Sequence, residues 1–358
     1  MIRRIARSAI PVGAATIFLS GIATAHVDYV VDADPETIGE AIQFVITTMS
    51  DPLNAVLLAV GAVGLVGLLA GWILVRPFPR DIAEFRATMK EYTDLVPWLL
   101  RIGIGFPLVG AGFAGYYFSP AVPIEARLLQ IGIGFLLLFG LATRAVAAIG
   151  LVAYVVGLVV DPRILLANEF VGGFLAIILL GAGRPSADDV LQRVAEADST
   201  VYGRIDPIHR IAVWFQHLVV DYKVYLPTLL RVSLGLNFVY LGFVQKLMSP
   251  QSALAVVDKY NLTVVVPAPP ELWVVGAGVT EIAVGIVLLL GLFTRGFSLV
   301  AFLLFTTTLF GLPDDPVLAH LSLYGLVSVL LITGSGPLAL DNRLQPTETD
   351  SRRPSMAD

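Results

Sequence analysis

Long uncharged apolar runs alternate with short polar interruptions along the chain, and the runs have the length of membrane spans. Arg3, Arg4 and Arg7 precede an apolar stretch from Ala9 to Ile22, and Ala23-Thr24-Ala25 offers a small-x-small cleavage site. This is the three-part layout of an export signal. An uncleaved anchor helix is the alternative; either way the chain from His26 is expected to start outside the cell. Leu53 to Val75 carries no charge over 23 residues, enough to cross a hydrocarbon core of ~30 Å at ~1.5 Å per residue. Further runs follow at Leu99–Phe118, on either side of Arg144, and at Leu165–Ala182, Leu226–Met248, Glu271–Leu292, Gly296–Leu312 and Val317–Gly334. An arginine held at mid-membrane costs roughly 2.5–3.5 kcal/mol on insertion scales, so a turn at Thr143-Arg144 is expected. The pattern predicts an all-α, polytopic membrane protein with about nine transmembrane helices.

Between the spans the periodicity becomes amphipathic. Asp34-Pro35 suits a helix start, and Ile38, Ile42, Val45 and Met49 then share one face. Ile82, Phe85 and Met89 do the same further on. The connector opens on a cap-like Ser186-Ala-Asp-Asp189 and closes on Ile211, Trp214, Phe215 and Leu218, a pattern suited to an interfacial helix. The polar, Pro-containing residues after Asp341 read as disordered.

Composition agrees. Of 358 residues 56% are apolar and 14% charged, with mean hydropathy +0.82, against about 25% charged in ordinary globular domains. That excludes a soluble enzyme and a disordered chain. A net charge of −5 without a basic stripe excludes a nucleic-acid binder. With no Cys, thiol catalysis, disulfides and thiolate metal sites are excluded too. With Ala25 outside, all 23 basic residues except Arg127, Arg163, Lys246 and Lys259 fall on the cytoplasmic side, as the positive-inside rule expects of a multi-pass cell-membrane protein with a cytoplasmic C-terminus.

The chain repeats itself. Residues 97–120 and 227–250 are identical at ten of 24 positions, at an offset of 130. QIGIGFLLLFGLATR (130–144) returns as EIAVGIVLLLGLFTR (281–295), at an offset of 151, with eight of fifteen identical. Gly172, Gly181, Gly183 and Asp188 then pair with Gly325, Gly334, Gly336 and Asp341, at an offset of 153. Three blocks in order indicate two parallel four-helix repeats. The second carries about 21 extra residues, the difference between the offsets 130 and 151, including Ala253–Leu262, a Pro-rich return and the sequon Asn261-Leu-Thr263. The expected layout is a signal (1–25), an external segment with one span and a linker (26–96), repeat one (97–183), a cytoplasmic connector (184–226), repeat two (227–341) and a tail (342–358).

Positions polar in one repeat only are the informative ones. Lys246 aligns with Tyr116, Glu281 with Gln130, His320 with Ala167 and Asn237 with Pro107. Ionisable groups inside membranes are rare and face cavities or one another. Glu281, Lys246 and His320 are therefore expected to meet in one bundle as the reactive set: Glu281 exchanging protons, Lys246 supplying counter-charge, His320 relaying. The alternative is a structural ion pair with a histidine reaching the surface. Asn237, Tyr240 and Phe243 are the expected ligand-lining residues. The paired arginines, Arg101/Arg231 and Arg144/Arg295, are expected to set topology and touch lipid headgroups. Gly110-Ala-Gly112-Phe-Ala-Gly115 fits the dinucleotide fingerprint, but no strand precedes it, and close helix packing is the expectation. His209 and His217 lack a third ligand, so no metal site is expected; an N-terminal His26 could chelate copper only after cleavage.

The second repeat resembles the DoxX family of small four-helix membrane proteins. The resemblance rests on Gly242-x-x-x-Lys246-Leu247, on Glu281…Gly285…Gly291-Leu-Phe-Thr-Arg295, on His320 and on the closing Gly-Pro-Leu-Ala-Leu-Asp341. The first repeat is similar with its polar positions lost. The resemblance implies quinone-coupled oxidation, as in the related thiosulfate:quinone oxidoreductase membrane subunit, or a place in a redox-stress complex. A quinone would then be the cofactor, and a separate protein, beside the lipid, the redox partner. A small-solute transporter and a non-catalytic scaffold binding an external partner through the Ser249–Pro270 insertion stay open as alternatives.

Overall fold

The computed structural model describes residues 37–75, 77–197, 200–202 and 207–344. The expected signal, His26, Asp34-Pro35, Arg76 and the tail beyond Leu344 lie outside the described residues, as do the side chains of His209 and Arg210. The first residues of the expected disordered tail instead form a helical turn, Asp341–Leu344. The fold is all-helical. Its helices are α1 Ile38–Ser50, α2 Pro52–Val75, α3 Pro79–Glu91, α4 Val96–Ala114, α5 Arg127–Phe139, α6 Thr143–Val160 and α7 Glu169–Leu180. After them come α8 Ala187–Glu196, α9 Pro207–Val219, α10 Leu226–Tyr240, α11 Pro250–Lys259, α12 Pro270–Leu290, α13 Thr294–Gly311 and α14 Val317–Thr333. The only extended pairing among the described residues is an isolated bridge between Tyr117 and Ser119.

Among the described residues, six helical stretches are long and apolar enough to span a membrane: α2, Pro79–Ala114, α6, Val213–Leu247, α12 and α13. The other three expected spans are the shorter α5, α7 and α14, of 13, 12 and 17 residues. A spanning helix needs about 20 residues. α7 is lengthened by the 3₁₀ turn Pro162–Ala167, irregular backbone that membranes tolerate where protein covers it.

Four helices of each repeat, α4–α7 and α10 with α12–α14, form the core. Within each repeat the first two helices meet through glycines. A Cβ on Gly105 would lie 2.9 Å from the Gly134 carbonyl oxygen, and one on Gly134 2.7 Å from that of Gly105. In the second repeat the Gly235 and Gly285 positions give 2.7 and 2.6 Å. Only Gly permits such backbone approach. Likewise Gly110 and Gly112 face Leu318 and Ile131, so the fingerprint-like glycines serve packing.

The fourth helices are exchanged: α14 packs on α4 of the first repeat, and α7 on α10 of the second. Both crossings use equivalent positions, Gly103 against Gly325 and Ser233 against Gly172. Leu100, Ile104, Leu108, Phe170, Phe174, Leu230, Leu234, Phe238, Leu326 and Leu330 fill the shared core.

The paired arginines overturn the expectation that they face lipid. Arg101 and Arg231 are each 2% exposed. Arg101 Nη2 donates to the Pro185 carbonyl at 2.8 Å; Arg231 donates to Leu289 and Leu338, both at 2.8 Å. Arg144 donates to Ile178 and Leu180, and Arg295 to Leu331 and Ile332. The last carbonyls of a helix lack intrahelical partners and carry the negative end of its dipole. Arg144 and Arg295 each satisfy two of them with one planar guanidinium, while Arg101 and Arg231 reach Pro185 and Leu338 in the segments that follow α7 and α14. Asp188 and Asp341 complete this end. The first accepts from the Ala142 and Thr143 amides at 2.6 and 2.9 Å, the second from Phe293 and Thr294 at 2.6 and 3.0 Å.

At the opposite end the insertion folds down onto the bundle. Ala253, Val257 and Leu262 pack with Val274 of α12, and Phe44 of α1 closes over them. The apolar stripe of α1 faces outward, with Ile38, Ile42 and Met49 exposed, as suits a helix lying in lipid. α2 is apolar on every side and buries only Asn54.

Candidate functional site

The sequence-derived site residues divide among four places. Lys246 and Glu281 meet. α10 runs on into a π-helical segment, Leu241–Leu247, and such widened turns recur at functional sites. Here the turn swings Lys246 towards α12. Gly242 makes the approach possible, because a Cβ there would lie 3.0 Å from that of Glu281. Lys246 Nζ stands 2.8 Å from Glu281 Oε1, with the two side chains 27% and 22% exposed. Glu281 Oε2 is buried with no partner among the described residues. The first repeat fills the same position differently: α4 stops at Gly115 in a left-handed turn. With its amide oriented to bond both ways, Gln130 donates to the Tyr116 carbonyl at 2.7 Å and accepts from the Phe118 amide at 3.0 Å. A neutral amide there caps backbone; the acid in the second repeat holds a cation.

His320 does not join this pair. Its Nε2 lies 3.4 Å from Asp315 Oδ2 and its Nδ1 3.3 Å from the Pro316 carbonyl oxygen. The exchange of fourth helices is the reason: α14 leans on α4 of the other repeat, so its first turn is carried away from the Lys246–Glu281 pair. The expectation of one bundle holding all three is corrected on this point.

Tyr240 and Phe243 line a crevice of about 540 Å³ between α7 and α10, together with Leu165, Asn168, Val171, Leu236 and Val239. Its walls are almost wholly apolar. Tyr240 lines the crevice, and its hydroxyl is buried beneath the crevice surface with no partner among the described residues, an unmet donor of a kind that is rare in folded proteins.

Asn237 faces the other way, into the protein, and meets a residue that sequence reasoning passed over. Glu169, at the first turn of α7, is 3% exposed. Its Oε2 accepts from Asn237 Nδ2 at 3.0 Å and its Oε1 from the Ser322 hydroxyl at 2.8 Å. The cluster therefore joins the first repeat to α10 and α14 of the second. Glu169 and Ser322 occupy equivalent positions, 153 residues apart. The signal that could have found Glu169 was an acid lying five residues inside an apolar run.

No curated protein and no solved structure matches the chain. Residues 226–321, from the start of α10 into the first turns of α14, match the DoxX family. With the apolar helices around them, this match makes the chain a multi-pass membrane protein that carries a DoxX domain over residues 226–321.

Proposed function

We propose that the protein is a quinone-interacting membrane component of an oxidoreductase, with the α7–α10 crevice as the binding site. The observation that carries the reading is an apolar crevice of about 540 Å³, a size suited to a drug-sized ligand, lined by Tyr240, whose hydroxyl is buried just beneath it without a partner among the described residues. Tyr240 would donate to a ring oxygen, Phe243 and the aliphatic walls would hold the ring and tail, and Asn168 offers a second polar contact. A quinone there supplies a lipid-soluble carrier of two electrons and two protons. The chain's own contribution is to exclude water, orient the ring and supply protons. Glu281, held by Lys246 on the far side of the same π-helical segment, would exchange protons with the surface; His320, paired with Asp315, would act at the neighbouring α4–α14 crossing. Because the sequence contains no Cys, the electrons would come from a partner protein.

The test is extraction of quinone from protein purified out of native membranes. Bound quinone is expected, with its occupancy lowered at least several-fold by Tyr240→Phe and less by Glu281→Gln. Protein that never retains quinone would sink the reading. Solute flux in liposomes abolished by Glu281→Gln would favour transport instead. Unchanged behaviour of both variants, with a partner lost on deleting the insertion, would favour a scaffold.

A further inference from the structure

Glu169 is sealed inside the bundle, and among the described residues no Arg, Lys or His from α4, α6, α10 or α14 stands within ion-pair distance. A buried carboxylate without a cation is costly and persists in membranes mainly where it serves a function. The titratable group facing it is Tyr154 of α6, whose hydroxyl donates to the Ile164 carbonyl at 3.0 Å, and Tyr240 of α10 stands near Tyr154 in turn.

The hydrogen bonds around Glu169 suit either protonation state. Ser322 has one hydroxyl hydrogen and two acceptors within reach, Glu169 Oε1 at 2.8 Å and the Ala319 carbonyl at 3.3 Å. With Glu169 ionised, Ser322 donates to Oε1. With Oε1 protonated, the carboxyl donates to Ser322 Oγ and the hydroxyl turns to Ala319. Asn237 Nδ2 donates to Oε2 in both states, its other hydrogen reaching towards the Leu166 carbonyl at 3.4 Å. Rotation of one hydroxyl thus keeps the cluster bonded while a proton enters or leaves, with no heavy atom displaced.

The cluster also has a route outward. Asn237 Oδ1 and the Tyr240 hydroxyl, one helical turn apart on α10, are both buried without a partner among the described residues. Tyr240 and Asn168, the latter next to Glu169 in sequence, line the crevice. We propose that Glu169, Asn237 and Ser322 form a proton-carrying site shared by the two repeats, in contact with the α7–α10 crevice through Tyr240. Its reaction is the reversible loss of one proton from the Glu169 carboxyl, and it does not depend on what occupies the crevice.

Infrared difference spectra of the full-length protein in liposomes, recorded against pH, test this. A protonated-carboxyl band should titrate in the native protein, disappear in Glu169→Gln and persist in Glu281→Gln. The Gln side chain keeps both neighbouring bonds, donating to Ser322 and accepting from Asn237. Ser322→Ala leaves the carboxyl but removes the rotating hydroxyl, and it should displace the midpoint by about one pH unit, a tenfold change in proton affinity. A spectrum unchanged by Glu169→Gln, or a midpoint unmoved by Ser322→Ala, would overturn the proposal. Should Glu169→Gln fold poorly, the Ser322→Ala midpoint alone decides.

Discussion

The crossing of Gly235 and Gly285 is as tight as that of Gly242 on Gly278 beside the Lys246–Glu281 pair, and Gly285→Ala probes it without touching the pair. The added Cβ would sit 2.6 Å from the Gly235 carbonyl oxygen, 2.8 Å from Val239 Cγ2 and 2.9 Å from Val239 N. Ordinary contact begins near 3.4 Å, so α10 and α12 must part by about 0.8 Å, the difference between 3.4 and 2.6. Backbone yields less readily than a side-chain tip, and overpacking of this kind costs about 1–3 kcal/mol. Alanine regains up to about 1 kcal/mol of helix propensity. Gly276→Ala on the same helix separates the terms, since a Cβ there meets nothing within 4 Å. It receives the propensity gain without the clash. The two variants should therefore differ by about 1–3 kcal/mol in unfolding free energy, measured by thermal or denaturant unfolding in detergent micelles. Gly134→Ala against Gly132→Ala should repeat the result in the first repeat, where the Gly134 contacts are equally short and Gly132 is open. Equal stability of Gly285→Ala and Gly276→Ala would refute the claim that glycine is required by the approach.

Asp341→Ala removes the acceptor of the Phe293 and Thr294 amides and should lower stability by about 1–2 kcal/mol; Asp188→Ala should cost a similar amount, and unfolding midpoints compare the two. Arg231→Lys keeps the charge but lacks the fork that reaches Leu289 and Leu338 together, so a loss of about 2–4 kcal/mol is expected, against under 1 kcal/mol if the residue only sets topology. Lys259 and the Tyr260 hydroxyl, both bonded to Asp314, hold its carboxyl below the usual carboxylate range. The stabilisation is then full above the unfolded value of about 3.9 and fades as pH falls through the lower folded value. Amide exchange in α11 should accelerate only below about pH 4, and Asp314→Asn should remove that dependence.

Much of the fold is legible from charge-free runs and internal repetition, because both follow from properties local to a segment. The Gly235/Gly285 pair, the left-handed Gly291 turn and the Asp341 cap are all visible as recurring letters. The role of Arg231 is hidden in the sequence because a terminal arginine reads alike whether it meets phosphate or carbonyl oxygen, and only the end of the neighbouring helix decides. The surroundings of His320 are hidden for a similar reason: its sequence neighbours do not show which first helix its own helix joins. Lys246 and Glu281 were found because both are charged in one repeat and neutral in the other. Glu169 escaped the same comparison because its counterpart, Ser322, is also polar and the pair reads as unremarkable.

The equivalence of Glu169 and Ser322 acquires meaning from the exchanged helices. Were the same architecture assembled from two identical subunits, each residue at this position would face its own likeness across the axis: acid against acid or hydroxyl against hydroxyl. Two carboxyls so close would share one proton and repel, and two hydroxyls would hold no exchangeable charge. Joining the halves in one chain frees the positions to differ, so that an acid can meet its hydrogen-bond donor. Tandem fusion, on this view, is what allows a heterogeneous contact at the centre of an otherwise symmetric assembly.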